Sequence, residues 1–218
     1  HLRSEELLEL VAYYDVINLH WHARFLSAEN VATLTWSGKP VVMTIRDMQP
    51  ITGGCHFFHG CEKWQTDCRE CPQIPSAYVD YPSTVLDAKR AHYNFDNLTL
   101  VAISNHTRAI LQRAPKFRDC RIETIPNSIE TDVFRPYDRV EQRRALGLPL
   151  DRKIIGYVPS FSSEIKGYKE FLAALQILNL DNKGVDPFVL LVGNDTPATA
   201  AIRYFNCKSP VPRRSASR

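Results

Sequence analysis

Apolar residues recur at helical spacing near the start of the chain, at Leu7, Leu8, Leu10 and Val11. Asp15 to Leu19 then forms a short apolar run ending at His20, so the opening reads as a helix followed by a strand. The cycle repeats. Phe25 to Trp36 has a helical pattern, Gly38-Lys39-Pro40 breaks it, and the β-branched run from Val41 to Ile45 predicts a buried strand. Further on, Leu98 to Ile103 predicts a strand, Asn105 to Arg113 a helix, and Arg121 to Ile125 a short strand. Strands that are continuous apolar runs, separated by helices, belong to a parallel sheet covered on both faces. The fold class is therefore α/β, a doubly wound Rossmann-like sheet. In such sheets ligands bind beyond the carboxyl ends of the strands, which draws attention to His20, Arg46 and Ser104.

Two stretches fit neither period. Residues 46–82 are rich in Cys, Gly, Pro and aromatics and read as one long structured loop, a kind that is usually functional or metal-stapled. Pro126-Asn127-Ser128, Arg135-Pro136 and Gly147-Leu148-Pro149 punctuate the chain later, and a new strand-helix-strand cycle follows: Lys153 to Val158, Gly167 to Leu180, and Phe188 to Val192, ending at Gly193-Asn194. The expected organisation is a partial Rossmann-like domain over 1–126, a linker over 127–150, the start of a second Rossmann-like domain over 151–203, and a tail over 204–218 without periodicity, expected to be disordered.

Composition narrows the function. With 44% hydrophobic and 23% charged residues among 218, the chain can bury a core and is not disordered as a whole. A net charge of +3, dispersed except for Arg213, Arg214 and Arg218, is too weak for a nucleic-acid surface. No apolar run approaches the roughly 20 residues needed to cross a bilayer. The first residues carry no signal-peptide pattern, so a cytoplasmic location is expected. Since the chain opens on a helical pattern without Met, it is expected to be a fragment.

Four of the six cysteines crowd into Cys55-x5-Cys61-x6-Cys68-x2-Cys71. Four soft donors so close together can close a tetrahedral zinc site, and disulfides or free thiols are the alternatives. His56 and His59 offer substitute ligands. Cys68-Arg-Glu-Cys71 lacks the helix N-terminus that lowers a redox thiol's pKa, and Pro72 follows it directly. Gly53-Gly54 either lets a ligand approach the backbone or makes a turn. His20 and Trp21 are candidate ligand contacts or a packed pair, and His20 and His22 are expected to share a face of an extended segment.

The run Pro40-Val-Val-Met-Thr-Ile-Arg-Asp-Met-Gln-Pro-Ile-Thr-Gly-Gly-Cys-His-Phe-Phe-His-Gly-Cys-Glu-Lys-Trp, continuing to Cys68-Arg-Glu-Cys-Pro-Gln, resembles the cysteine-bearing subgroup of the family four glycosyltransferases, bacterial enzymes that build exopolysaccharide. Asp15-Val-Ile-Asn-Leu-His-Trp, Ile125-Pro-Asn-Ser-Ile-Glu and Val133-Phe-Arg-Pro resemble other segments of that family. The resemblance implies a two-Rossmann-domain enzyme that transfers a sugar, with retention, from a nucleotide-diphosphate sugar to a glycan or lipid-linked acceptor. A lipid-linked acceptor would bring it to the inner face of the plasma membrane as a peripheral protein.

It also implies site roles. Lys166 and Gly167 match the Lys-Gly element that holds the donor diphosphate, and Arg46 and Asp47 occupy the catalytic position, where the family usually has histidine before the aspartate. Arginine stays charged and cannot act as a base there. His20, Trp21, Gly53, Gly54 and Ser104 fall on the acceptor side. Nothing after Asn194 resembles the family's paired-glutamate donor segment, so a catalytically inactive remnant that binds a glycan or a partner is the alternative expectation.

Overall fold

The structure is a computed structural model that describes residues 3–158, 164–180 and 187–192. Contacts divide the chain into two compact units, His1–Glu130 and Thr131–Arg218. Gly193-Asn194, Cys207 and the tail 204–218 lie outside the described residues.

The first unit runs α1 (Ser4–Val11), β1 (Ile17–His20), α2 (Ala28–Thr35), β2 (Val41–Ile45), α3 (Tyr81–His92), β3 (Leu98–Ala102), α4 (Asn105–Leu111) and β4 (Arg121–Thr124). Its strands form one sheet in the order β1-β2-β3-β4, with every pairing parallel. This is the expected α/β class. The reason lies in the central strands, where Val41, Met43, Ile45, Leu98, Leu100 and Ala102 are all fully buried. Helices on the sheet complete the core with Val31, Leu34, Leu86 and Leu111.

The register aligns His20 with Thr44, and Ile45 with Ala102, so the residues that follow each strand emerge along one carboxyl edge.

Helix α2 is shorter than the expected 25–36 because Ser27 caps it. The Ser27 hydroxyl accepts from the Asn30 N–H at 3.0 Å, and the Asn30 side chain accepts from the Ser27 N–H at 3.1 Å. The loop expected over 46–82 ends slightly early, at the first turn of α3, and contains three 3-10 turns at Gln49–Ile51, Lys63–Gln65 and Ser76–Tyr78.

The second unit contains α5 (Arg139–Ala145), β5 (Ile154–Tyr157), α6 (Tyr168–Leu180) and β6 (Phe188–Leu191), with β5 and β6 paired in parallel. A strand-helix-strand unit therefore stands close to the expected positions. Helix α5 falls within the stretch read as a linker, with Asp138 capping it by accepting from the Glu141 N–H at 2.7 Å. Among the described residues no helix is long and apolar enough to cross a membrane.

Candidate functional site

Three chain reversals at the carboxyl edge of the first sheet bring polar groups together. Strand β1 ends at His20, and Trp21 takes φ +31 to turn the chain away. That turn separates the two histidines. His20 is exposed, whereas His22 is 6% exposed, and burial pulls the His22 pKa down to about 4, so it is neutral near pH 7. The shared face expected for the pair is absent because the extended segment stops between them.

Arg46 follows β2 and reaches the end of β1 and the segment beyond β4. Its Nε donates to His20 Nδ1 at 3.5 Å and its Nη1 to Asn127 Oδ1 at 3.2 Å. Asp47 faces the loop. Oδ1 accepts from the Gln49 N–H at 3.0 Å, and Oδ2 lies 2.8 Å from His56 Nδ1. Ser104 caps α4 by accepting from the Thr107 N–H at 3.1 Å, which gives its hydroxyl a structural task at this edge. Thus His20, Trp21, Arg46 and Asp47 are gathered together, Asn127 joins them, and His56 enters from ten residues beyond Arg46.

The rest of the 46–82 loop folds as a packed lobe. Trp64 is buried, stacks on Phe58 at 4.6 Å between centroids, and lies under the Arg113 guanidinium at 5.7 Å. Arg90 from α3 donates to the Trp64 carbonyl at 3.0 Å and to the Thr66 carbonyl.

At the root of the lobe Lys89 is 1% exposed, with its ammonium donating to the carbonyls of Gln49 at 2.6 Å and Thr52 at 2.9 Å. Burial lowers its pKa to about 8, while the thiols of Cys55 and Cys68 and the carboxylate of Asp47 act in the opposite direction. Gly53 sits against the backbone of Pro82 in the first turn of α3. Gly54 has φ +129 and open space around its Cα. The close approach made by Gly53 is thus to the protein's own helix.

Cys55, Cys61, Cys68 and Cys71 line one cavity of about 280 Å³, together with Gly53, Gly54, Phe58 and Trp64. All four are free thiols. Burial raises the pKa of both Cys55 and Cys68, opposite to the shift a reactive redox thiol needs. In type and number the donors suit zinc. Among the described residues, however, no three His, Cys, Asp or Glu side chains are gathered closely enough to hold a metal ion.

In the second unit Lys166 ends a 3-10 turn just before α6. Its side chain is exposed, and its carbonyl accepts from the Tyr157 hydroxyl at 2.7 Å. Gly167, at φ +71, supplies the left-handed link into the helix.

Fold and site define the class as an α/β domain with a Rossmann-like parallel sheet and its polar groups collected at the carboxyl edge. No family model matches the chain. It is similar to the D-inositol 3-phosphate glycosyltransferase of Mycolicibacterium paratuberculosis, 28% identical over 159 residues, covering 72% of this chain and 31% of that protein. The proteins of the same name from Mycobacterium bovis and Mycobacterium tuberculosis are 26% identical over 159 residues, covering 72% of this chain and 28% of each. The chain is therefore distantly related to glycosyltransferases, and it spans less than a third of the length of these relatives.

Proposed function

We propose that this chain is part of a retaining, hexosyl-type glycosyltransferase of the cysteine-bearing family four subgroup. It would use a nucleotide-diphosphate sugar and a glycan or lipid-linked acceptor in surface polysaccharide assembly at the inner face of the plasma membrane. In this reading residues 1–126 form the acceptor side, 127–150 link it to the next domain, and 151–203 begin the donor side. The observation that carries the reading is the convergence of His20, Trp21, Arg46 and Asp47 on one sheet edge in a chain related to glycosyltransferases.

Lys166 and the N–H groups that open α6 would hold the donor diphosphate, where positive charge stabilises the leaving group as the glycosidic bond breaks. Arg46 stays cationic and is pinned by His20 and Asn127, so its role is to orient a ligand while protons move elsewhere.

The test is incubation of the purified chain with UDP- and GDP-linked hexoses, with free hexoses and inositol phosphate as acceptors. Release of nucleoside diphosphate coupled to formation of a glycoside is the expected result. Absence of turnover, together with absence of calorimetric binding of UDP and GDP, would overturn the enzyme reading for this chain and leave a glycan- or partner-binding domain.

We further propose that one structural zinc draws the four thiols of the cysteine lobe together from their separate positions around the shared cavity. The support is their shared cavity and free state. Elemental analysis of protein purified under reducing conditions should find about one zinc per chain. A folded, metal-free protein would sink that assignment.

A further inference from the structure

We infer that His56, held by Asp47, is the hydrogen-bond acceptor of a carbohydrate subsite whose floor is Trp21 and whose cationic edge is Arg46. The inference deepens the acceptor-side reading and rests on it.

An ionised carboxylate only accepts hydrogen bonds, so the 2.8 Å contact with Asp47 Oδ2 places the imidazole proton on Nδ1. In the neutral imidazole Nε2 then carries the lone pair, and among the described residues nothing hydrogen-bonds to it. Both partners are fixed. Asp47 is held through its other oxygen by the Gln49 N–H at 3.0 Å, and the His56 carbonyl accepts from the Met48 N–H at 3.1 Å. The imidazole is therefore presented in one tautomer and one orientation, with the His56 side chain 37% exposed and the Asp47 side chain only 11% exposed.

Beside it lies the indole of Trp21, 52% exposed, its centroid 6.1 Å from that of His56 and tilted by 33°. Arg46, the exposed residue before Asp47, has its Nε and Nη1 bonded to His20 and Asn127, and among the described residues its Nη2 has no hydrogen-bond partner.

A half-exposed aromatic plane, a fixed acceptor at its rim and a free donor beyond suit one kind of ligand. A sugar ring has an apolar C–H face to lay on the indole and hydroxyls at its edge, which donate to Nε2 and accept from the guanidinium. The imidazole thus stands at the sheet edge through Asp47, the residue that follows Arg46, with its Nδ1 proton held by that carboxylate.

The test is heteronuclear NMR on the full chain, with methyl α-D-glucopyranoside and myo-inositol as the probes. Ring-nitrogen spectra should show His56 protonated on Nδ1 in the free protein. A saturating probe should shift the Trp21 indole and the His56 Nε2 signals. His56→Phe, which keeps a ring but loses the acceptor, is expected to weaken binding about tenfold, the worth of one hydrogen bond. Asp47→Asn frees the tautomer and is expected to raise the Nε2–H form and weaken binding about threefold.

Unchanged affinity in a folded His56→Phe protein, or a His56 protonated on Nε2 in the wild type, would overturn the assignment. So would the absence of any Trp21 shift at tens of millimolar probe, or a shift produced by uridine in place of the polyols. Polyol binding here with no sugar transfer would sink the enzyme reading and leave this subsite standing. Transfer without polyol binding at Trp21 would do the reverse.

Discussion

Gly53→Ala should destabilise the first unit by about 3 kcal/mol, lowering its melting temperature by about 10 °C. A Cβ built at position 53 would lie 2.2 Å from the Pro82 carbonyl oxygen, 2.5 Å from Pro82 Cβ and 2.6 Å from the Pro82 carbonyl carbon. All three atoms belong to a proline or its backbone at the start of α3, so no flexible side chain can swing aside. Either α3 moves off the sheet, exposing the fully buried Leu86 and Lys89, or the 46–82 loop lifts away.

The neighbouring glycine is the internal control. Gly54 has φ +129 with nothing within 4 Å of an added Cβ, so Gly54→Ala brings backbone strain without a clash, about 1–2 kcal/mol. Thermal unfolding of the two variants measures the difference. A Gly53→Ala protein as stable as Gly54→Ala would show that the contact with Pro82 is soft and that the loop is not clamped there.

The clamp matters because the loop carries chemistry at both ends. Asp47 and His56 stand at its root beside the sheet edge, and the four cysteines line the cavity beyond. Part of this was legible in the amino-acid sequence. The parallel strands were, because burial on both faces writes them as unbroken apolar runs such as Val41 to Ile45. The end of β1 marked His20 and Trp21, and Arg46 followed β2 directly.

Helix α3 was not legible, since its inward face is Ser83, Leu86 and Lys89, and two polar residues at helical spacing erase the amphipathic signal. In the sequence His56 offers only a substitute metal ligand. Its partner Asp47 is nine residues away in a segment without period, and only the fold of the loop makes them neighbours. At Gly53 the sequence leaves a ligand approach and a turn equally open, because it shows a glycine and not what presses on it. A Pro-bearing helix start some thirty residues later is a long-range partner, which no local pattern reports.

Lys89→Ala should cost about 4 kcal/mol. The lysine is as buried as the leucines of the core, and its ammonium satisfies the carbonyls of Gln49 and Thr52, the two ends of the turn that leads into Gly53-Gly54. Two effects oppose each other. Desolvation works against the charged form, which is why the Lys89 pKa falls from 10.5 to about 8. Removing the side chain relieves that penalty but strands the buried Thr52 carbonyl and the part-buried Gln49 carbonyl, at about 1–3 kcal/mol each, and empties the volume of four methylenes. The second effect is larger.

Lys89→Met separates its parts by refilling the volume without the donor, and about half the loss should return. The pH dependence has a definite sign. Below pH 8 the group is protonated both folded and unfolded and contributes no slope. From 8 to 10.5 the unfolded chain holds the proton that the folded chain has released, so the wild type should gain stability relative to Lys89→Met as pH rises through that window. Denaturant titrations of the three proteins at pH 7 and pH 9.5 measure both quantities. An alanine variant within 1 kcal/mol of the wild type would mean that the turn is held by the Gly53–Pro82 packing alone and that the buried ammonium is dispensable.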